Sequence, residues 1–422
     1  MTSTADSQLL ELEVGDIAGG GGCVAHAPDG RVVFVRHSLP GERVVARVTS
    51  TTSSFIRADA TEILRASPDR VDPPCPHAGP GRCGGCDFQH VGLAAQRRLK
   101  AARVAEQLKR VGGVARQVEV EPVPGDQDGL GWRTRIRLGV DAAGRLGFRR
   151  HRSHQLEHIT GCPVACALVM QTGAFDARWP GFEELEVAVA PDSGESLVSL
   201  VSPRPRPRTH PPLPEVAARV VIDGRPQQRS GAVHTTVATV SYRVSAGVFW
   251  QGHVGAAEVL AKAVRGALGA RTGDAVVDLY AGAGLFSVLL ADDVGPGGSV
   301  LAVERERRAC ADAAYNGRER PQLRVKQASV TPRLVEHGIG TPDLLVLDPA
   351  REGAGMPVMA ALDGHAATLR RVVYVSCDAS SFSRDIGVLL QSGWTLGSLR
   401  AFDIFPMTEQ VELVAGLRPP SP

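Results

Sequence analysis

The stretch Arg371-Val-Val-Tyr-Val-Ser-Cys-Asp378 is a short apolar, β-branched run that ends abruptly in small polar residues. Such a run predicts a buried parallel strand that enters a turn. In open α/β sheets, ligands bind in the crevice at the carboxyl ends of the strands, so Cys377 would lie where chemistry is usually done. Cys377 is therefore a candidate nucleophile. The alternative is a buried, inert thiol, because free cysteine is among the most buried residue types.

The same pattern recurs along the carboxy-terminal part of the chain. From about residue 246, apolar runs alternate with helical stretches, which predicts an α/β domain with a Rossmann-like parallel sheet over residues 246–422. The expected strands are 275–280, 299–303, 323–325, 344–347 and 372–375, followed by two more near 396–402 and 411–417.

Four of these strands end in a polar side chain that could react or bind a ligand, namely Tyr280, Glu304, Asp348 and Cys377. All four should open onto one crevice. The Gly-x-Gly turn at Gly282 lets backbone approach a nucleotide, and Glu304 could accept both ribose hydroxyls. Ser287 replaces the third glycine of a dinucleotide fingerprint, which favours S-adenosylmethionine as the cofactor. A cofactor and a thiol that share one crevice favour the catalytic interpretation of Cys377.

Composition limits the class of protein. The chain has 422 residues, enough for two or three domains, and a net charge of only +2, so its total charge requires no polyanionic partner. The amino terminus lacks a basic segment followed by an apolar one, and no apolar run reaches about 18 residues. We expect a cytoplasmic protein without a membrane partner. In that compartment the eight cysteines would be metal ligands, catalytic groups or core residues rather than disulfides.

Residues 1–66 contain short alternating runs broken by four successive glycines at 19–22. This spacing predicts a small antiparallel β-barrel of about five strands, of the oligonucleotide-binding type. From Leu12 to Val44 the sequence also resembles a TRAM domain, a small RNA-binding barrel. A purely structural barrel is the alternative.

Residues 67–245 form a predicted central α+β domain that contains a cysteine cluster. Cys75, Cys83 and Cys86 lie within a dozen residues, and Cys162 could complete a set of four thiolates. Four thiolates suit either zinc or an iron-sulfur cluster. The spacing between Cys75 and Cys83, with seven residues between them, argues against a radical-initiating iron-sulfur cluster.

The central region also carries many arginines. The helix predicted at 93–111 has a charged face, which we expect to be solvated, and the helix itself could pack on the catalytic domain. In the following hairpin, Arg133 and Arg135 lie at period two with further arginines. Such a ribbon would repel itself without an anion, so we predict that it faces RNA phosphates and that Trp132 stacks on a base.

The chain resembles the RNA (uracil-5-)methyltransferase family. The matching motifs are Phe249-Trp-Gln251, Asp278-Leu-Tyr-Ala-Gly-Ala-Gly-Leu-Phe286, Asp348-Pro-Ala-Arg351, Tyr374-Val-Ser-Cys-Asp-Ala-Ser-Ser-Phe-Ser-Arg-Asp385 and Phe405-Pro-Met-Thr-Glu-Gln-Val-Glu412. The resemblance is strongest to the subgroup that acts on large-subunit ribosomal RNA. It departs from the family pattern at Leu285 and Asp378, where asparagine is usual.

The resemblance implies a role for each matching position. It implies that S-adenosylmethionine is contacted by Gln251, Tyr280, Glu304 and Asp348. It also implies that Cys377 is the nucleophile, that Glu412 accepts a proton, and that the four cysteines hold a [4Fe-4S] cluster. Glu409 is the rival for the base. We expect a monomer that needs no protein partner; the alternatives are a transfer-RNA enzyme, a methyltransferase with another substrate, and a non-catalytic RNA-binding protein with a metal site.

Overall fold

The computed structural model describes residues 8–207, 209–228 and 230–420. Residues 1–7, which belong to the amino terminus predicted to lack a basic segment followed by an apolar one, lie outside the described residues. Within the described ranges, no helix is long and apolar enough to cross a membrane.

The amino-terminal domain is a five-stranded sheet, as the spacing predicted. Its strands are β1 (Leu9–Glu13), β2 (Gly22–His26), β3 (Val32–Arg36), β4 (Arg43–Thr51) and β5 (Phe55–Arg65), in the order β1-β4-β5-β3-β2. Strands β3 and β5 run parallel, so the expectation of a purely antiparallel sheet is wrong for this pair. Alternate residues such as Val33, Val35 and Ile56 point inward and are buried together.

Helix α1 (Leu93–Arg110) and the short strand β6 (Val120–Pro122) follow, and a second sheet comes after them. The elements of this central region are β7 (Arg135–Val140), β8 (Leu146–Arg149), β9 (Leu156–His158), α2 (Ala167–Gln171), β10 (Glu184–Ala190), β11 (Glu195–Val201), β12 (Arg219–Ile222) and β13 (Arg225–Pro226). The strands form one seven-stranded sheet in the order β13-β12-β11-β10-β7-β8-β9. A separate hairpin consists of β14 (Ala232–Val237) and β15 (Val240–Ser245).

The carboxy-terminal domain is the predicted α/β fold. Its elements are α3 (Ala256–Leu268), β16 (Ala275–Leu279), α4 (Leu285–Val294), β17 (Ser299–Glu304), α5 (Arg307–Asn316), β18 (Leu323–Gln327), α6 (Pro332–Gly338), β19 (Leu344–Leu347), α7 (Met356–Asp363), β20 (Arg371–Ser376), α8 (Ala379–Gln391), β21 (Thr395–Asp403) and β22 (Glu412–Arg418). The sheet order is β18-β17-β16-β19-β20-β22-β21-β6. Strands β16 to β20 are parallel, whereas β22 runs antiparallel between β20 and β21. Apolar side chains are buried on both faces of β20, as expected for a strand covered on both sides.

Two segments of the predicted central domain pack on the catalytic domain instead. Strand β6 extends the catalytic sheet by pairing with β21. The β14–β15 hairpin is fixed to α5, where Asp312 accepts hydrogen bonds from the Arg243 guanidinium at 2.8 Å and from the Ser245 backbone N–H at 2.7 Å. The strands of residues 67–245 therefore belong to more than one sheet, because apolar periodicity indicates a strand but not its pairing partner.

Helix α1 also packs on the catalytic domain, against α8. Its Lys100 is fully buried and donates to Asp403 at 2.6 Å and to the Phe405 carbonyl at 3.0 Å. Arg97 reaches the other oxygen of the same carboxylate at 3.2 Å. The expectation of a solvated charged face is thus wrong for this part of the helix, where a buried carboxylate requires cationic partners.

Replacing Lys100 tests this ion pair. In Lys100→Met, Asp403 keeps only Arg97 as a cation, and an incompletely paired buried charge should lower the unfolding free energy by about 3 kcal/mol. Urea unfolding followed by circular dichroism measures the loss. The matched control is Arg98→Met, whose pair with Asp69 is exposed (61% and 44%) and should contribute less than about 1 kcal/mol. Equal stability of the two variants would contradict the assignment.

Candidate active site

The four polar strand ends predicted to share a crevice do lie at one edge of the sheet. Glu304 ends β17, while Tyr280, Asp348 and Cys377 directly follow β16, β19 and β20. Because these four strands are parallel neighbours, their carboxyl ends meet at the same side. The residues are partly exposed there, whereas the strands behind them are buried.

The turn after β16 is shaped for close approach by a ligand. Tyr280 and Gly282 have φ values of +65° and +56°, and Gly284 follows at +87°. Left-handed backbone is unusual for tyrosine and is often found at functional sites. The Gly282 N–H donates to Glu304 Oε2 at 3.0 Å, so this carboxylate links the two strand ends. Leu285, the departure in this motif, is buried.

Two carboxyl groups lie on the neighbouring strands β16 and β19, Asp278 within β16 and Asp348 directly after β19. Asp278 is fully buried; Ser287 Oγ donates to its Oδ2, and its Oδ1 has no partner among the described residues. Burial raises the pKa of Asp278 to about 7. The pKa of Asp348 also rises to about 7, through desolvation and then the charge of Asp278. Ser287 therefore has a definite role as a hydrogen-bond donor to Asp278.

Glu412 is brought next to Cys377 by the antiparallel strand. Leu413 of β22 pairs with Ser376 of β20, and the residues beside this pair are Glu412 and Cys377. The Glu412 side chain is buried, and desolvation followed by the charge of Asp348 raises its pKa well above the ordinary value. Two neighbouring buried carboxyl groups cannot both ionise easily, so the site can hold a proton near neutral pH.

The Cys377 thiol is held back from ionising by its surroundings. Burial raises its pKa to about 12, and Glu412 is the next largest cause. Arg351 acts in the opposite direction. Asp378, the second departure from the family pattern, caps helix α8 by accepting from the Ser381 N–H at 2.7 Å. Its carboxylate is thereby engaged with the helix amino terminus.

The rival base, Glu409, lies elsewhere. Its Oε2 accepts backbone N–H groups from Gly20 at 2.7 Å and Gly21 at 2.8 Å, both in the amino-terminal domain. Glu409 is not a cause of the raised Cys377 pKa, whereas Glu412 is. The geometry therefore favours Glu412 over Glu409 as the group that acts beside the thiol.

Gln251, the fourth predicted cofactor residue, lies in the segment between β15 and α3. It is buried and lines a cavity between the central sheet, the β14–β15 hairpin and α3, with Thr134, Asp192 and Glu258. None of the four strand-end residues lines that cavity. Nearby Phe249 is 69% exposed, an unusual exposure for a large aromatic ring.

Asp385 is a supporting residue that the sequence did not single out. It is buried and accepts from the Tyr374 hydroxyl at 2.7 Å and from the Gly355 N–H at 3.1 Å. The Tyr374 hydroxyl in turn accepts from Ala354. Asp385 thus holds the loop that follows Asp348. Asp385 lies one helical turn beyond Ser381, on the buried face of α8. A charged residue at that helical spacing is the feature of the sequence from which its role could have been predicted.

The four predicted ligand cysteines surround one cavity. Its lining includes Cys75, Cys83, Cys86 and Cys162, together with Arg133. Burial raises the pKa of Cys83 to about 11 and of Cys86 to about 12, and neighbouring thiols add to both shifts. In the described part of the chain, no group of three or more His, Cys, Asp or Glu side chains is arranged to hold a metal ion.

The arginine hairpin differs from the prediction in two ways. Arg135 and Arg137 are paired with Glu186 across the sheet at 2.9 Å and 3.1 Å, so the expectation of an unpaired ribbon is wrong. Trp132 is only 2% exposed and stacks on His253, so it offers no surface to a base. Arg133 precedes β7 and borders the cysteine cavity. The proposed contacts of Arg133 and Arg135 with RNA remain predictions.

Comparison with known proteins agrees with this architecture. Residues 8–61 match the family model of the TRAM domain. An uncharacterized RNA methyltransferase of Streptomyces avermitilis is 43% identical, over 97% of this chain and 98% of that protein. A protein of Chromohalobacter salexigens named 23S rRNA (uracil(1939)-C(5))-methyltransferase is 31% identical, over 97% of this chain and 88% of that protein.

A solved structure shares the fold over nearly the whole chain. It is the tRNA (uracil-54, C5)-methyltransferase of Pyrococcus abyssi in complex with S-adenosyl-L-homocysteine, with a TM-score of 0.74 and 21% sequence identity. The likeness covers 97% of this chain and 100% of that one. Taken with the identity to the curated relatives, this shows that the chain is an RNA methyltransferase and belongs to the RNA (uracil-5-)methyltransferase family.

Proposed function

We propose that this protein transfers a methyl group from S-adenosylmethionine to C5 of a uridine in 23S ribosomal RNA through a covalent bond between Cys377 and uracil C6. The observation that carries this proposal is the buried Glu412 beside Cys377, at the sheet edge that also carries the turn after β16. A ribosomal substrate is favoured over transfer RNA because the relative named for 23S rRNA is 31% identical, whereas the transfer-RNA enzyme, at 21%, supports the fold alone.

The turn after β16, which contains Gly282, is suited to bind S-adenosylmethionine. No atom lies within 4 Å of a Cβ built on Gly282, so ligand atoms can approach the backbone there. Glu304 would accept the ribose hydroxyls, and Tyr280, Asp348 and Gln251 would provide the remaining contacts. The bound cofactor supplies an electrophilic methyl group.

The chain's own residues would activate and release the base. Uracil C5 is a weak nucleophile, but addition of the Cys377 thiolate to C6 breaks the 5,6 double bond and makes C5 an enolate carbon. C5 then takes the methyl group. Glu412 removes the C5 proton, the electron pair restores the double bond, and the C6–S bond breaks to return the thiolate. A raised pKa at Glu412 suits a carboxylate that must accept this proton.

The amino-terminal sheet is the second surface that we assign to RNA. Phe34 and Phe55 lie edge-to-face on the outer side of β3 and β5 with ring centres 5.7 Å apart, and the Arg57 guanidinium lies 4.5 Å from the Phe55 ring centre. Aromatic rings beside arginine bind unpaired bases and phosphates. The target uridine must leave its stack to reach Cys377, which fits a single-stranded loop.

We further propose that Cys75, Cys83, Cys86 and Cys162 hold a [4Fe-4S] cluster. Support comes from the donor set, since four thiolates around one cavity are the ligands of such a cluster. Arg133 lies in the same lining and would offset part of its negative charge. The uracil chemistry requires no electron transfer, so the cluster would be structural.

A trapped adduct tests the covalent mechanism. Cys377→Ala should bind RNA and S-adenosylmethionine but form neither product nor adduct. Glu412→Gln should allow addition and methylation, while the C5 proton remains and elimination stalls. The methylated RNA would then stay joined to the protein as a slow band on a denaturing gel, and the band should vanish in the double variant.

Glu409→Gln is the matched control for that experiment and should turn over without a trapped band. A band in Glu409→Gln with normal turnover of Glu412→Gln would make Glu409 the base. If Cys377→Ala is active and neither glutamate variant traps RNA, the covalent mechanism is ruled out.

The charge of Glu412 should be detectable at the thiol. Because Glu412 raises the pKa of Cys377, Glu412→Gln should lower that pKa and increase the thiolate fraction at pH 9. Iodoacetamide should then label Cys377 about three to ten times faster, since one pKa unit corresponds to about tenfold. Mass spectrometry of the labelled peptide measures the rate, with Cys310 as an internal control. Identical rates for Cys377 in both proteins would rule out this coupling.

Metal content tests the cysteine assignment. Anaerobically purified protein should be brown and contain about four iron and four sulfide per chain. Cys83→Ser should lose both, whereas Cys166→Ser should retain them because Cys166 does not line the cavity. Stoichiometric zinc without sulfide would overturn the proposal.

A further inference from the structure

The contact between Glu409 and the glycine loop joins parts of the chain that are far apart in sequence. Gly20 and Gly21 have φ values of +84° and +69°, and their successive N–H groups converge on the same Glu409 oxygen at 2.7 Å and 2.8 Å. Successive N–H groups in this arrangement form a concave anion-binding nest. Here the anion is a side chain of the catalytic domain.

Glycine is required in this nest for steric reasons as well. A Cβ on Gly21 would lie 2.5 Å from the Asp87 Cβ, closer than real side chains approach. The positive φ adds backbone strain for any other residue. The glycine loop therefore fits closely against the segment that follows the ligand cysteines.

The loop that carries Glu409, residues 404–411, receives further bonds from outside the catalytic domain. The carbonyl of Met407 accepts N–H groups from Asp87 at 3.0 Å and Phe88 at 2.9 Å. The Met407 N–H donates to the Gln96 side chain of α1 at 2.8 Å. The amino-terminal sheet, the cysteine segment and α1 thus all meet on the loop that leads into Glu412.

The Glu409 carboxylate has little compensation by opposite charge. Desolvation and Asp87 raise its pKa, and the two glycine N–H groups and Arg103 lower it. No Lys, Arg or His of the described residues lies within ion-pair distance of it. Because the Glu409 carboxylate is partly buried and held mainly by backbone donors, its desolvation is offset mainly by the nest. Loss of these hydrogen bonds should therefore separate the glycine loop from the loop of residues 404–411.

We propose that Glu409 is a positioning residue that docks the RNA-binding sheet onto the catalytic domain. The docking fixes the outer face with Phe34 and Phe55 relative to the crevice of Cys377. This rests on the proposed function, because that crevice is where the uridine reacts. RNA held by a fixed sheet reaches the thiol at a high effective concentration. Release of the sheet lowers affinity for long RNA without altering the chemical step.

The test compares full-length wild type, Glu409→Ala and Glu409→Gln on in vitro transcribed 23S ribosomal RNA. Glu409→Ala removes both hydrogen bonds to the nest and should raise KM for RNA roughly tenfold or more, while leaving kcat within about twofold. Glu409→Gln keeps an acceptor oxygen and should restore KM to within about threefold of wild type.

Hydrogen exchange of the peptide that contains Gly20 and Gly21 provides a readout without RNA. Exchange should be faster in Glu409→Ala and near wild type in Glu409→Gln. Unchanged exchange, or faster exchange with unchanged KM, would overturn the proposal. A fall in kcat with a trapped adduct would also overturn it, by placing Glu409 in the chemistry. If wild type makes no 5-methyluridine in this RNA, the proposed substrate fails, and exchange together with RNA binding by anisotropy still decides the docking.

Discussion

The candidate active site depends on the antiparallel pairing of β22 between β20 and β21. This strand places Leu413 opposite Ser376, which brings Glu412 beside a thiol 35 residues earlier in the chain. A parallel strand in the same place would present its carboxyl end, Arg418, at this edge. Because β22 runs antiparallel to β20, its first residue, Glu412, lies at the edge where the parallel strands end.

Burial at this edge has the same consequence for both reactive groups, because it favours the neutral, protonated form of each. It raises the pKa of Cys377, which disfavours the thiolate, and it raises the pKa of Glu412, which favours a proton on the carboxyl group. The favoured resting state of such a site is therefore a neutral Cys377 thiol beside a protonated Glu412 carboxyl group. The thiolate needed for addition must therefore be stabilised by what enters the crevice, aided by Arg351 and by the amino terminus of α8.

The remaining domains converge on the loop between β21 and β22. Lys100 is bonded to Asp403 and Phe405, the cysteine segment is bonded to Met407, and the glycine loop is bonded to Glu409. Each contact ends within ten residues of Glu412. The loop thus connects the surfaces assigned to RNA, the cysteine cavity and the proposed base. This arrangement explains why the boundaries between domains cannot be drawn from chain position alone.

Residue patterns were sufficient to predict the α/β domain and its strands, because periodicity is a local property of the chain. They also predicted the shared edge of Tyr280, Glu304, Asp348 and Cys377, because alternating strands and helices imply a parallel sheet. The same patterns grouped the four cysteines. The folded structure was needed to show that Glu412 rather than Glu409 lies beside the thiol, that Trp132 is buried, and that Glu186 pairs with Arg135. Those facts depend on which distant segments pair and pack, and a pattern along one segment carries no information about its partner.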